Sequence, residues 1–259
     1  MNTTRYLTLA STIAIVAHAG PTSAQQDVAE NSLALEEVIV TATKREQSLQ
    51  DVSVAVTALT EDMIKEQLIT STEDLIEMVP SLTLQKGTNP RQTSFNIRGI
   101  GTQSFSSAVE PSVSTMLDGV VMGRSGQAFM QLLDIQRVEV LRGPQGTLFG
   151  KNSTAGVVHI ITQAPTDEHT GEVMGAVMSE DEYRAGVTLS GPLTDSLGYR
   201  LSANYNDVEG YTKNYYTGNE LNGYDDWSVR GKLRWVGDNW TVNWSSDYSE
   251  ADCDCTASP

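Results

Sequence analysis

Arg137-Val138-Glu139-Val140-Leu141-Arg142-Gly143-Pro144-Gln145-Gly146-Thr147-Leu148-Phe149-Gly150-Lys151-Asn152 leads on to Gly156-Val157-Val158-His159-Ile160-Ile161-Thr162. Two β-branched runs flank a segment rich in glycine, so the stretch reads as strand, turn, strand. A phosphate-binding loop is the obvious competitor and its spacing fails. Gly146 and Gly150 enclose three residues instead of four, and Asn152 stands where a magnesium-binding Ser or Thr belongs.

Upstream, the pattern continues in small elements. Val52 to Leu59 alternates with period two, as a half-buried strand does. Thr60 is placed to cap a helix carrying Glu61 and Asp62 in its first turn and Met63, Ile64 and Leu68 on its apolar stripe. Ser71-Thr72-Glu73-Asp74 reads as a capping box for a second helix, which Pro80 stops. Short strands are expected around Leu82-Thr83-Leu84 and Phe95-Asn96-Ile97, and Asp118-Gly119 between apolar runs signals a hairpin. Residues 51–165 thus read as an α+β domain. Ahead of them, Glu37-Val38-Ile39-Val40-Thr41-Ala42 reads as an isolated strand seeking an edge, or as an edge strand of the domain that follows.

These pieces, in this order, resemble the plug domain of TonB-dependent outer-membrane receptors of the siderophore-receptor type. The segment from Arg137 to Thr162 is similar to the plug signature, residues 37–42 resemble the TonB box, and Ile97-Arg98-Gly99 and Leu117-Asp118-Gly119-Val120 are similar to further plug motifs. The resemblance implies three things. Glu37, Val38, Ile39, Val40, Thr41 and Ala42 bind the TonB energy-transducing complex. Arg98 and Arg142 latch the plug to carboxylates on barrel-wall strands missing from this sequence. The receptor takes up a scarce ligand, a ferric siderophore or similar iron complex, across the outer membrane as a monomer.

After residue 165 the composition changes. Residues 25–165 hold Phe95, Phe105, Phe129 and Phe149 as their only aromatics, whereas all four tryptophans and eight of the nine tyrosines follow. Alternation becomes regular: Tyr199, Leu201, Ala203 and Tyr205 interleave with Arg200, Ser202, Asn204 and Asn206, and Trp227, Val229, Gly231, Leu233 and Trp235 with Ser228, Arg230, Lys232 and Arg234. Strands of about ten residues, apolar on one face and aromatic at their ends, describe the wall of an antiparallel transmembrane β-barrel. Five are expected in residues 166–259, too few to close a barrel around a plug, which takes about 22. Gly231 falls near mid-membrane on the lipid face, so Gly231→Arg is expected to cost more than Lys232→Ser on the polar face.

The first 24 residues, with Arg5 ahead of an apolar run and Thr22-Ser23-Ala24 before Gln25, read as a secretory signal, with cleavage after Ala24 or after Ala19. Residues 25–50 then form a periplasmic tail holding the box. Eleven residues between the first cleavage site and Glu36 leave no room for a folded signalling domain. With 33 acidic against 17 basic residues the chain is a poor partner for nucleic acid. His18, His159 and His169 have no paired ligand nearby, and no nucleophile motif appears, so no enzyme, catalytic residue, cofactor or metal is expected. Asp252-Cys253-Asp254-Cys255 stays open between a soft-metal site and a disulfide to other sequence. The alternative to uptake is a non-transporting fragment that acts only as a plug or partner-binding module.

Overall fold

The computed structural model describes residues 37–86, 92–103, 109–178, 182–210, 212–213, 220–221 and 223–253. The signal segment, residues 25–36 of the tail, and Asp254 and Cys255 lie outside the described residues.

The chain opens with β1 (Ile39–Val40) and β2 (Gln47–Ser48), which pair antiparallel. Next come β3 (Val56–Thr60), α1 (Glu61–Glu66), α2 (Leu75–Met78), β4 (Leu82–Gln85), β5 (Ser94–Ile97) and β6 (Ile100–Gly101). β7 (Val113–Leu117), β8 (Val120–Met122), β9 (Ile135–Arg142), α3 (Gly146–Phe149) and β10 (Gly156–Thr162) follow. The central sheet has the order β3-β9-β10-β7-β8, and β4-β5-β6 form a second, small sheet.

Local chemistry explains these elements. The Thr60 hydroxyl accepts a hydrogen bond from the Met63 amide, capping α1, and the helix stops two residues short of Leu68, which takes φ 53°. The Asp74 carboxylate accepts from the Ser71 amide at 2.8 Å while the Ser71 hydroxyl accepts from the Asp74 amide at 3.4 Å, the reciprocal box that the sequence suggests. Asp118 (φ 47°) and Gly119 (φ 86°) make the hairpin turn between β7 and β8, a turn that demands two positive φ angles. Gly156 is required for a different reason. A Cβ there would sit 2.3 Å from the Leu141 carbonyl oxygen, because β9 and β10 approach closely at that point.

The central sheet is covered on both faces. Val138, Val140, Val158 and Ile160 pack with α1, α2 and Phe95 on one side. Leu141, Val157, Met116 and Phe149 form a smaller cluster on the other, and this is where Val40 and Ala42 insert.

A separate antiparallel sheet follows, β11 (Thr170–Met178), β12 (Glu182–Thr194), β13 (Leu197–Val208), β16 (Tyr224–Val236) and β17 (Thr241–Cys253), in the order β11-β12-β13-β16-β17. Short strands β14 (Thr212–Lys213) and β15 (Glu220–Leu221) pair within the long connector between β13 and β16. The short connectors 195–196 and 237–240 lie at one end of the sheet and the long connector at the other. Such asymmetry is usual in outer-membrane barrels, with short turns inside the cell envelope and long loops outside. The five strands form an open sheet, a partial barrel.

Candidate functional site

Three features of the folded chain bear on function: the docked strand at 37–42, the seam between plug and sheet, and the outer face of the sheet.

The docked strand is not the free strand that the sequence suggests. It folds back through a turn closed by Lys44 N–H on the Thr41 carbonyl, pairs with β2, and buries Val40 and Ala42 completely. Ile39, on the opposite face of the alternation, stays exposed. The Thr41 amide donates to Glu139 Oε1 at 2.7 Å, and the Thr41 hydroxyl donates to the same carboxylate. Glu139 is itself buried in β9, where Arg137 Nε donates to it at 2.8 Å and His159 stands 3.9 Å away. Burial pushes this carboxyl upward, but the contacts from His159, Arg137 and Thr41 outweigh it and hold the pKa below its ordinary value. The carboxylate therefore keeps its charge beneath the strand. The Lys44 ammonium lies 4.9 Å above the Phe149 ring and closes the turn from outside.

The seam is built from charge. Asp134, at φ 56° just ahead of β9, accepts from Arg200 Nε and Nη2, both at 2.6 Å, and from the Ser202 hydroxyl at 2.7 Å. Both side chains of the ion pair are almost wholly buried. Asp118, in the hairpin turn, accepts from the Thr162 amide and hydroxyl, and Lys232 Nζ stands 2.9 Å from it. Arg230 donates to the Leu133 carbonyl, and Gln131 donates to Asp226 at 3.2 Å. Burial would raise the pKa of Asp118 and Asp134. The Thr162 and Lys232 contacts on the first, and the Arg200 and Ser202 contacts on the second, override it and keep both low.

The sequence singles out Arg98 and Arg142 as a latch to barrel-wall carboxylates in strands other than these five. Neither has a carboxylate within ion-pair distance among the described residues. Arg98 is exposed at φ 54°, and Arg142 Nε is buried without a partner. The observed pairs have the opposite sense, with carboxylates on the plug and cations on the wall. Sequence reasoning missed Asp118, Asp134 and Glu139 as contact groups, although the Arg200, Arg230 and Lys232 stripe on the inward face was a usable signal. Lys232→Ser also needs correcting: the side chain holds Asp118, so its removal is not cheap.

On the opposite face of the sheet, Val187, Leu201, Trp227, Trp235, Val242, Trp244 and Tyr248 are exposed, while Ser190, Ser202 and Asn206 on the inner face are buried, Ser202 against Asp134 of the plug. Trp235 and Trp240 meet edge to face at 5.2 Å at the short-turn end, and Trp227 and Tyr248 meet at a tilt at 5.0 Å toward the other. Two aromatic belts flank an aliphatic band, the pattern of a lipid-facing barrel wall.

Comparison with known proteins agrees. Residues 48–157 match the model of the TonB-dependent receptor plug domain. The pesticin receptor of Yersinia pestis is 36% identical over 166 residues, which cover 62% of this chain and 24% of the relative. The ferric enterobactin receptor PirA of Pseudomonas aeruginosa is 28% identical over 200 residues, covering 70% and 27%. The chain thus spans about a quarter of the length of these curated relatives. Among solved structures, the ferric yersiniabactin uptake receptor FyuA from Yersinia pestis superposes with a TM-score of 0.70 at 30% identity, covering 76% of this chain and 32% of that one. The pyoverdine receptor FpvA of Pseudomonas aeruginosa shares the fold at a TM-score of 0.67 and 19% identity, covering 82% and 30%. The chain thus carries a TonB-dependent receptor plug domain, folded against strands that match the wall of a siderophore receptor.

Proposed function

We propose that the chain works in TonB-dependent uptake of a ferric siderophore or similar iron complex across the outer membrane. Its relatives named above are receptors for iron chelates and for pesticin, which supports the ligand class. Residues 1–24 direct export, residues 25–50 carry the box, residues 51–165 are the plug, and residues 166–259 supply wall strands in contact with outer-membrane lipid. The receptor acts as a monomer whose protein partner is the TonB complex.

The observation that carries this reading is the docking of residues 37–42. A strand of two residues, held by one hairpin and by Thr41 on Glu139, is ready to exchange its internal partner for the edge of another sheet. Main-chain hydrogen bonds would supply the new affinity with little demand on side chains.

Ile39→Pro tests it. Ile39 is exposed, so its side chain is dispensable to the dock, but proline removes a ladder donor and fixes φ. Iron-55 accumulation from a panel of ferric siderophores is expected to vanish, while binding of the same chelates at the cell surface persists. Undiminished accumulation by this variant contradicts the assignment of the box.

A further inference from the structure

Asn206 of β13 and Asp226 of β16 face each other across the two strands, near the end of the sheet that carries the long connector. Both are almost sealed from solvent, with 3% and 5% of their surface exposed. One oxygen of the Asp226 carboxylate is well served. Oδ1 accepts from Asn206 Nδ2 at 3.3 Å and from Gln131 Nε2 of the plug at 3.2 Å. The other oxygen is not. Asp226 Oδ2 and Asn206 Oδ1 are both buried without a hydrogen-bond partner.

The charge of this corner is as unbalanced as its hydrogen bonding. Arg184, which pairs with Asn206 on its other side, donates through Nε to Glu182. Asp226 belongs to no ion pair among the described residues. Two carboxylates thus stand against one guanidinium. A buried carboxylate without a counter-charge is costly, and two neighbouring acceptors cannot satisfy each other. What both oxygens lack is the same thing, a positive centre. A water would bridge them and leave the charge uncompensated.

A carboxylate oxygen and an amide carbonyl oxygen are donors for a hard cation. Gln131, Arg184, Asn204 and Asn206 also line a cavity of about 360 Å³, which gives such an ion room to keep part of its water. We propose that Asp226 and Asn206 form a calcium site at the plug–wall seam, with Asp226 Oδ2 and Asn206 Oδ1 as protein ligands and waters in the cavity completing the shell. Calcium is favoured over magnesium because so enclosed a site requires the ion to shed water, which magnesium does reluctantly. The ion offsets the Asp226 charge and steadies the carboxylate on which Gln131 of the plug rests.

Terbium(III), a luminescent calcium substitute excited through nearby aromatic rings, is the probe, with the closed-barrel receptor refolded into lipid vesicles. The Tyr224 hydroxyl, 3.5 Å from Asn206 Nδ2, puts a sensitising ring beside the site. Terbium emission is expected, and calcium is expected to quench it at about one-tenth the concentration that magnesium needs. Asp226→Asn keeps the shape, removes the charge and is expected to weaken terbium binding about tenfold. Asn206→Asp gives the pair a second carboxylate and is expected to tighten it about tenfold. Asp225→Asn, the exposed neighbour on the opposite face, is expected to change nothing. Absence of emission from the parent, binding that Asp226→Asn and Asn206→Asp leave as it was, or an equal loss in Asp225→Asn each overturns the site.

Discussion

The plug and the five-stranded sheet use the same period-two alternation and bury opposite halves of it. In the plug, Val138, Val140, Val158 and Ile160 are wholly enclosed. In the sheet, Val187 (41%), Trp235 (53%) and Trp244 (54%) stand open, while Ser190 and Ser202 are wholly buried. We attribute the difference to solvent, water around the plug and lipid outside the wall. Water drives apolar side chains inward at about 25 cal/mol per Å². Hydrocarbon removes that drive and demands instead that every backbone polar group be bonded, which long antiparallel strands achieve. Alternation therefore announces two faces but not which one is wet. The aromatic belts and the inward cations decide that.

The sharpest way to break this comparison is to put one charge into each region. Val158→Asp places an unpaired carboxylate between β7 and β9 in the centre of the plug. Burial of an unpaired charge in a packed core is expected to cost about 4–5 kcal/mol. Urea titration followed by protease cleavage of the plug measures it. A plug as resistant as the parent would mean that this sheet is not the core.

Next in size is the seam. Arg200→Ala leaves Asp134 buried without its cation, at a cost of about 3–4 kcal/mol, read as plug release at lower urea. Acid should act on the same contacts. Asp118, Asp134 and Glu139 all have folded pKa values below their ordinary ones. Their stabilisation is complete above the unfolded carboxylate range and is lost as pH falls through the folded values. The plug should therefore become protease-sensitive in acid while the sheet, held by backbone bonds, persists. Parallel loss of both would remove the distinction between them.

Smaller effects sharpen the picture on the wall. A Cβ at Gly231 meets no protein atom within 4 Å, so the strand admits a side chain there and Gly231→Arg reports chiefly on the surroundings of that face. At mid-membrane it is expected to cost about 2–4 kcal/mol in refolding into lipid vesicles. Lys232→Ser, one residue on, is expected to cost about 1–3 kcal/mol for a different reason, the loss of the Asp118 contact. The double change of Lys232→Ser with Asp118→Asn should recover part of that loss, whereas Gly231→Arg should be indifferent to Asp118.

Much of this was legible in residues. Asp118-Gly119 forced a hairpin, Thr60 marked a helix start, and the interleaved Trp and Arg positions of β16 marked the two faces of the wall, whereas the Ser71–Asp74 box closes the turn ahead of α2, which starts only at Leu75. What the sequence could not show came from long-range pairing. Glu139 reads as an ordinary polar position in a strand, and only the return of residues 37–42 onto β9 makes it an anchor for Thr41, 98 residues away in the chain. Asp134 and Arg200 are 66 residues apart, and nothing local says that they meet. Val52 to Ala55 alternates as well as the rest of β3 yet stays outside the strand, because β3 pairs with β9 only from Val56 onward. Arg98 and Arg142 stood out in sequence through neighbouring glycines, and the carboxylates proposed for them belong to wall strands other than these five.

The central claim is that one face of the five-stranded sheet meets lipid and the other meets the plug. Spin labels placed singly at positions 241–248 of β17, in the closed-barrel receptor in lipid vesicles, test it most directly. Positions 242, 244, 246 and 248 should be accessible to oxygen and shielded from a water-soluble nickel chelate, with 243, 245 and 247 showing the reverse. Oxygen accessibility that does not alternate along this strand, or that is highest at 243, 245 and 247, would contradict the account.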